Sequence, residues 1–300
     1  MNPVFLAYLK LIRPANIPTA AADILAGIAI AGITMDTDYI TVEGLRLFPM
    51  DWYLSLASVC MYAGGVVLND VFDLKIDRIE RPERPIPKGV ISQKSAAIFG
   101  SVLLLIGIAL AFAVNNLSGN VAIILVLAIL IYDSFSKKYR LLGPLNMGIC
   151  RGLNLILGMS IIGHIYSYWY ALIPLAYIFA VTLVSRGEVH AGNRKQIIWA
   201  GILYAGVIFA VVSVVPGKPE VLVRVIPFLL LFIVLIYRPL LIAYRQNTAE
   251  NIRKAVVAGV LSIIALDATI ASGFSGWGYG ILVILLLPLC YVLSRIFDVT

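Results

Sequence analysis

Ala96-Ala97-Ile98-Phe99-Gly100-Ser101-Val102-Leu103-Leu104-Leu105-Ile106-Gly107-Ile108-Ala109-Leu110 runs without a single charged side chain, and the stretch 121–131 repeats the pattern. A helix that crosses a bilayer needs about 20 predominantly apolar residues. Working outward, such runs recur at 14–34, 52–71, 93–114, 121–136, 144–163, 168–185, 196–215, 221–244, 252–273 and 280–297. The whole chain agrees. Of its 300 residues 61% are hydrophobic and only 13% charged, whereas a soluble domain carries about 25% charged residues. The runs are continuous rather than alternating, which excludes a transmembrane β-barrel. The expected fold is all-α, a polytopic bundle of nine to ten membrane helices forming one unit over 1–300. An amphipathic interfacial helix over 1–13 precedes it, with Phe5, Tyr8, Leu9 and Ile12 at helical spacing, and 274–300 supplies an additional C-terminal span.

The net charge of +7 does not imply nucleic acid, because membrane proteins use basic residues to set orientation. Arg46, Lys218 and Arg224 fall in the loops after odd-numbered spans; every other Lys and Arg lies on the opposite side or at its boundary. That bias puts the termini and the even-numbered loops in the cytoplasm, and the expected location is a bacterial inner membrane. Cys60, Cys150 and Cys290 sit far apart in apolar runs and read as buried thiols. His164 beside Tyr166, Tyr168, Trp169 and Tyr170 reads as an interfacial aromatic belt.

Polar residues concentrate in one place, Asn69-Asp70-Val71-Phe72-Asp73-Leu74-Lys75-Ile76-Asp77-Arg78. On a continuous helix Asp70, Asp73 and Asp77 share one face, with Asn69 at its edge. Like charges at this spacing repel, so the face calls for a cation. Hard oxygen ligands suit Mg²⁺, which also binds substrate phosphates. The loop that follows, Arg81-Pro82-Glu83-Arg84-Pro85-Ile86-Pro87-Lys88-Gly89, offers Arg84 and Lys88 to the far side of a phosphate. Ser92 is placed to cap the next helix. Asp23 and Asp267 lie within spans, where acids are costly. Helix–helix hydrogen bonding is the expected role for them, with acceptor binding or a proton path as the alternative.

Residues 69–77 match the NDxxDxxxD pattern of the UbiA-type intramembrane prenyltransferases, and 84–89 resembles their RPIPSG segment. Arg13-Pro14, Tyr132-Asp133-Ser134-Phe135-Ser136-Lys137-Lys138, and the region 148–158 with Arg151 and Asn154 extend the likeness across about residues 10–195. Arg13-Pro14-Ala15-Asn16, the 81–84 run and Ser185-Arg186-Gly187-Glu188-Val189-His190 further resemble the EboC branch, which is associated with secondary metabolism. The resemblance implies a central cavity in which a prenyl diphosphate lies with its tail between helices. It implies Mg²⁺ and diphosphate on Asn69, Asp70, Asp73 and Asp77, with Lys137, Arg84 and Arg151 assisting and Tyr132 and Asn154 lining the substrate. The prenyl group would pass to a small acceptor, aromatic ones included. The family's second acidic motif, DxxxD, is missing one carboxylate: the loop after span six offers Glu188 as a metal ligand and catalytic residue, with His190 for substrate and His190 or Asn193 as further ligands. That departure leaves a second reading open, a transporter of a hydrophobic or prenylated precursor on the same scaffold. Lipids are the other expected partner.

Overall fold

The computed structural model describes residues 3–32, 44–185 and 192–297, with side chains for all of these but Pro3 and 44–51. Among them every regular element is helical. The order is α1 (Pro3–Leu11), α2 (Ile17–Ile30), α3 (Gly44–Phe72), α4 (Leu74–Glu80), α5 (Gln93–Val114), α6 (Asn116–Ser134) and α7 (Leu142–Met159). There follow α8 (Leu172–Ser185), α9 (Arg194–Val214), α10 (Pro219–Arg245), α11 (Ala249–Leu261), α12 (Ile263–Ser275), α13 (Trp277–Ile284) and α14 (Leu286–Ser294). Nine helical stretches among the described residues are long and apolar enough to cross a membrane; α11–α12 and α13–α14 each act as one. The shorter apolar stretch Pro14–Ile30 occupies the position of the first expected span. This is an integral, multi-pass membrane protein.

Local chemistry sets the helix starts. Ser92 accepts from the Ser95 amide at 3.0 Å, the cap its position predicts. Asn115 caps α6 through the Ser118 amide at 2.8 Å, and Thr248 caps α11 through Asn251 at 3.3 Å. Each satisfies an amide that a helix start otherwise leaves unpaired. Asn115 also donates to the carbonyls of Ser160 (3.0 Å) and Ile161 (3.1 Å), joining the loop after α5 to the end of α7. At the other end, Arg13, the tail of α3, and the turn after α6 converge. The chain therefore runs up and down, and alternate loops gather at one end.

Two apolar clusters fill the interior. One joins α8–α12 to α2 and α7, with Tyr177, Tyr204 and Phe232 at its centre; the other joins α2, α3, α5, α6 and α7 to α10 and α12–α14. Lipid tails are as apolar as leucine, so helices in a membrane are held by close packing and interhelical hydrogen bonds. At the α2–α7 crossing, a Cβ on Gly27 would overlap the Leu155 carbonyl, and one on Gly158 would overlap the Ile24 carbonyl. Only hydrogen fits there. Gly158→Val is expected to destabilise the protein by about 1–3 kcal/mol through overpacking, read as a lower thermal-unfolding midpoint; an unchanged midpoint would mean the helices do not meet this closely.

The amphipathic α1 is not simply laid on the surface. Ala7 and Leu11 are buried with Val67, Leu74, Ile86, Ile91 and Ala96, and Tyr8 meets the edge of Phe99 at 5.0 Å between centroids. Phe5 stays exposed. The helix thereby seats Arg13 against the end of α3. Cys60 and Cys290 are buried and Cys150 half-buried, all three as free thiols. Tyr166, Tyr168 and Trp169 are strongly exposed, in keeping with a belt.

Candidate active site

The expected continuous helix across the aspartates is interrupted. α3 ends at Phe72 and α4 starts at Leu74, with Asp73 between them at φ −86°, ψ 1°. Asp73 makes no side-chain cap to α4, because its carboxylate is turned to another partner. The break divides the three acids. Asp70 and Asp77 are joined by one guanidinium: Arg84 Nη1 lies 3.0 Å from Asp70 Oδ1 and 2.7 Å from Asp77 Oδ2. Asp73 Oδ1 instead meets Lys137 Nζ at 2.7 Å. Each carboxylate thus has a basic partner, which relieves the repulsion that their spacing alone would create.

The basic loop is held by its own fold. The amides of Val90 and Ile91 return to the Pro85 carbonyl at 3.0 and 3.3 Å, and the Lys88 amide to the Arg84 carbonyl at 3.0 Å. With Ile86 and Ile91 anchored in the α1–α3–α5 cluster, Arg84 points back to the aspartates. Lys88 is exposed, and among the described residues no hydrogen bond or ion pair draws its side chain into the group. Lys137 sits in the turn after α6, where Asn146 of α7 donates to the neighbouring Ser136 hydroxyl at 3.0 Å. Tyr132 lies within electrostatic range of Asp73, Asp133 and Arg13, so it belongs to the same end.

Two residues beyond the sequence-derived candidates join the site. Arg13 Nη2 approaches Asp70 Oδ1 at 3.0 Å, so that oxygen has two guanidinium partners. Among the described residues Arg13 is the non-glycine with positive φ, 45° with ψ 70°. A backbone held there costs on the order of 1–3 kcal/mol and persists where surroundings fix it; here Pro14 on one side and Asp70 on the other do so. Asp133 is the second addition. It is buried on α6, and Asn69 Nδ2 donates to its Oδ1 at 2.7 Å. Its sequence signal was a carboxylate ending the apolar run of α6, since acids at membrane depth are functional candidates.

Arg151 and Asn154 are placed elsewhere. Arg151 Nε pairs with Asp23 Oδ2 at 2.9 Å, and Asn154 Nδ2 donates to the same oxygen at 2.9 Å and to the Ala20 carbonyl at 2.9 Å. Ser58 completes the group by donating to Asn154 Oδ1 at 2.7 Å. Asp267 of α12 contacts Asp23. This interior cluster ties α2, α3, α7 and α12 together, the hydrogen-bonding role expected of Asp23 and Asp267. Glu188 and His190 lie outside the described residues. Beside them, Asn193 donates to the Val184 carbonyl at 2.8 Å and accepts from Asn247 at 3.2 Å.

The assembled features define a class: a helical membrane protein in which an acidic helix end, a proline-rich basic loop and a lysine turn meet at one pole of an apolar bundle. More narrowly, the chain belongs to the UbiA prenyltransferase family, whose sequence profile matches residues 43–256. Digeranylgeranylglyceryl phosphate synthase of Methanococcoides burtonii is 36% identical over 159 residues, covering 52% of this chain and 55% of that protein. Its counterpart from Sulfurisphaera tokodaii is 32% identical over 180 residues, covering 59% and 60%. The chain thus spans somewhat more than half the length of these curated relatives. A UbiA homologue from Archaeoglobus fulgidus bound to GPP and Mg²⁺ superposes with a TM-score of 0.62 at 17% identity, over 93% of this chain and 99% of that chain. This last likeness shows the shared fold.

Proposed function

We propose that the chain transfers the isoprenoid group of an allylic prenyl diphosphate to a small nucleophilic acceptor within the membrane, using Mg²⁺, with its polar pole facing the cytoplasm. The observation that carries this reading is the set of paired charges at the end of apolar helices: Arg13 and Arg84 on Asp70 and Asp77, and Lys137 on Asp73. Diphosphate oxygens are natural partners for the three basic groups, and a divalent cation is the natural partner for the acids.

The residues fit Mg²⁺ by their chemistry. All candidate donors are hard oxygens, from Asn69, Asp70, Asp73 and Asp77, and such ions retain waters and share substrate phosphates. Asn69 directs its Nδ2 to Asp133, which leaves its Oδ1 for another partner. As they stand, no three acidic, histidine or cysteine side chains among the described residues form a ready ion site. Their charges are taken up by Arg13, Arg84 and Lys137. When bound, Mg²⁺ would supply positive charge to the departing diphosphate.

The chain's own residues do the rest. Arg13, Arg84 and Lys137 exchange carboxylate for diphosphate oxygens and stabilise the charge that develops as the allylic C–O bond breaks with its electron pair. The apolar bundle holds the tail and keeps water from the carbocation left behind. An electron pair of the acceptor then forms the new bond to that carbon, and the acceptor loses a proton. The relatives carry a name that places a glyceryl phosphate in their product, which supports testing a glyceryl phosphate acceptor beside aromatic ones.

The test is diphosphate release by purified protein from labelled dimethylallyl, geranyl and geranylgeranyl diphosphates with candidate acceptors. Release that requires Mg²⁺ and is lost in Asp70→Ala is the expected result. Binding of prenyl diphosphate with no release across phenolic and glyceryl phosphate acceptors would favour the carrier reading instead.

A further inference from the structure

Asp133 is not part of the NDxxDxxxD run, yet it faces that run from a different helix. The residue is buried, with 3% of its surface exposed. Oδ1 accepts from Asn69 Nδ2 at 2.7 Å, while Oδ2 is buried and has no hydrogen-bond donor. The charged groups facing it are Asp70 and Asp73 from the α3–α4 segment and Lys137 from the turn beyond α6. Lys137 is committed to Asp73 at 2.7 Å. A buried carboxylate oxygen without a donor is costly, and two further carboxylates nearby increase the demand for positive charge.

We infer that Asp133 is an additional carboxylate of the divalent-cation site, binding the ion through Oδ2 while its Oδ1 fixes the Asn69 amide. The inference rests on the prenyltransferase reading, since that reading brings the metal to Asn69 and Asp73. Both halves of the side chain then have a use. An acceptor-only carboxylate compels Asn69 to present Nδ2 toward α6, so Asn69 Oδ1 is the end left for the ion. Oδ2 supplies a hard ligand from α6 in addition to those of α3. The site would then be closed from two helices rather than one, which supplies negative charge without drawing on the loop that holds Glu188.

Asp133→Asn separates the two roles. An asparagine oxygen still accepts from Asn69 Nδ2, but the ligating charge is gone. Full-length protein in nanodiscs would be titrated with Mn²⁺ in the presence of inorganic diphosphate, with free ion followed by electron paramagnetic resonance. Changes at or around metal ligands typically cost about 10–100-fold in affinity; a loss in this range is expected for Asp133→Asn, with Asp133→Glu recovering most of it. Asp73→Asn serves as the measure of the site itself. Wild-type affinity in Asp133→Asn alongside weakened binding in Asp73→Asn would overturn the role of Asp133 and leave the prenyltransferase reading standing. Absence of Mn²⁺ binding in the wild type would overturn both. Should Asp133→Asn fail to fold, Asp133→Ser, which keeps a small oxygen acceptor, is judged by the same criterion.

Discussion

Lys137→Met is expected to slow diphosphate release by about 10²–10³-fold, the usual cost of removing one preorganised group that meets developing charge. Lys137 and Asp73 are in contact at 2.7 Å, with side chains 15% and 25% exposed. Lys137 Nζ is buried, but Asp73 keeps a quarter of its side chain in contact with solvent, so water can take over part of the lost partner and the carboxylate is not stranded as a fully buried charge would be. The protein therefore survives the change, and the lost rate reports on chemistry. Asp73→Asn is expected to produce a comparable loss through the metal. Because both groups act on the same leaving diphosphate, Lys137→Met/Asp73→Asn should be scarcely slower than the worse single variant. Groups that function as a unit behave in this non-additive way. Single-turnover release of labelled diphosphate in the four proteins checks this. Losses that multiply would assign the two residues to separate steps, and full activity in Lys137→Met would reduce it to a pin for Asp73.

How much of this was legible beforehand differs by level. The spans were readable because bilayer thickness imposes a length that no soluble helix needs to meet: nine of the ten expected runs overlap helical stretches long enough to cross, and the run 14–34 overlaps the shorter Pro14–Ile30. The acidic group was readable because three carboxylates within eight residues have few uses at a membrane edge. Their geometry was not. Periodicity alone continues a helix through Asp73, but the pull of Lys137, some sixty residues further on, and the bend into α4 leave Asp70 and Asp77 on Arg84 and set Asp73 apart on Lys137. Arg13 shows a second limit. A left-handed arginine before a proline runs against local preference, and only the tertiary contact with Asp70 accounts for it. Arg151 shows a third: motif position suggests a diphosphate ligand, while the side chain pairs with Asp23 on a helix that no local pattern links to it.

That pairing leads to the other large effect. Arg151→Met is expected to cost about 3–5 kcal/mol of stability, because removing one partner leaves a buried charge uncompensated. Asp23 is wholly buried and the Arg151 side chain 12% exposed, so water cannot replace the missing guanidinium, and Asp267 beside Asp23 adds a second carboxylate. Asp23→Leu alone strands Arg151 in turn. Replacing all three, as Asp23→Leu/Arg151→Met/Asp267→Leu, removes every formal charge of the cluster and is expected to recover much of the loss, since apolar groups of similar volume often substitute well for a buried ion pair. Asn154 keeps partners in that variant: its Nδ2 still donates to the Ala20 carbonyl and its Oδ1 still accepts from Ser58. Thermal unfolding of the single and triple variants measures the brace, and prenyl diphosphate affinity of the folded triple variant measures substrate binding. A brace predicts a recovered midpoint with unchanged affinity. If stability recovers but affinity falls tenfold or more (about 1.4 kcal/mol), Arg151 also contacts the substrate, and the interior cluster extends the site at the polar pole.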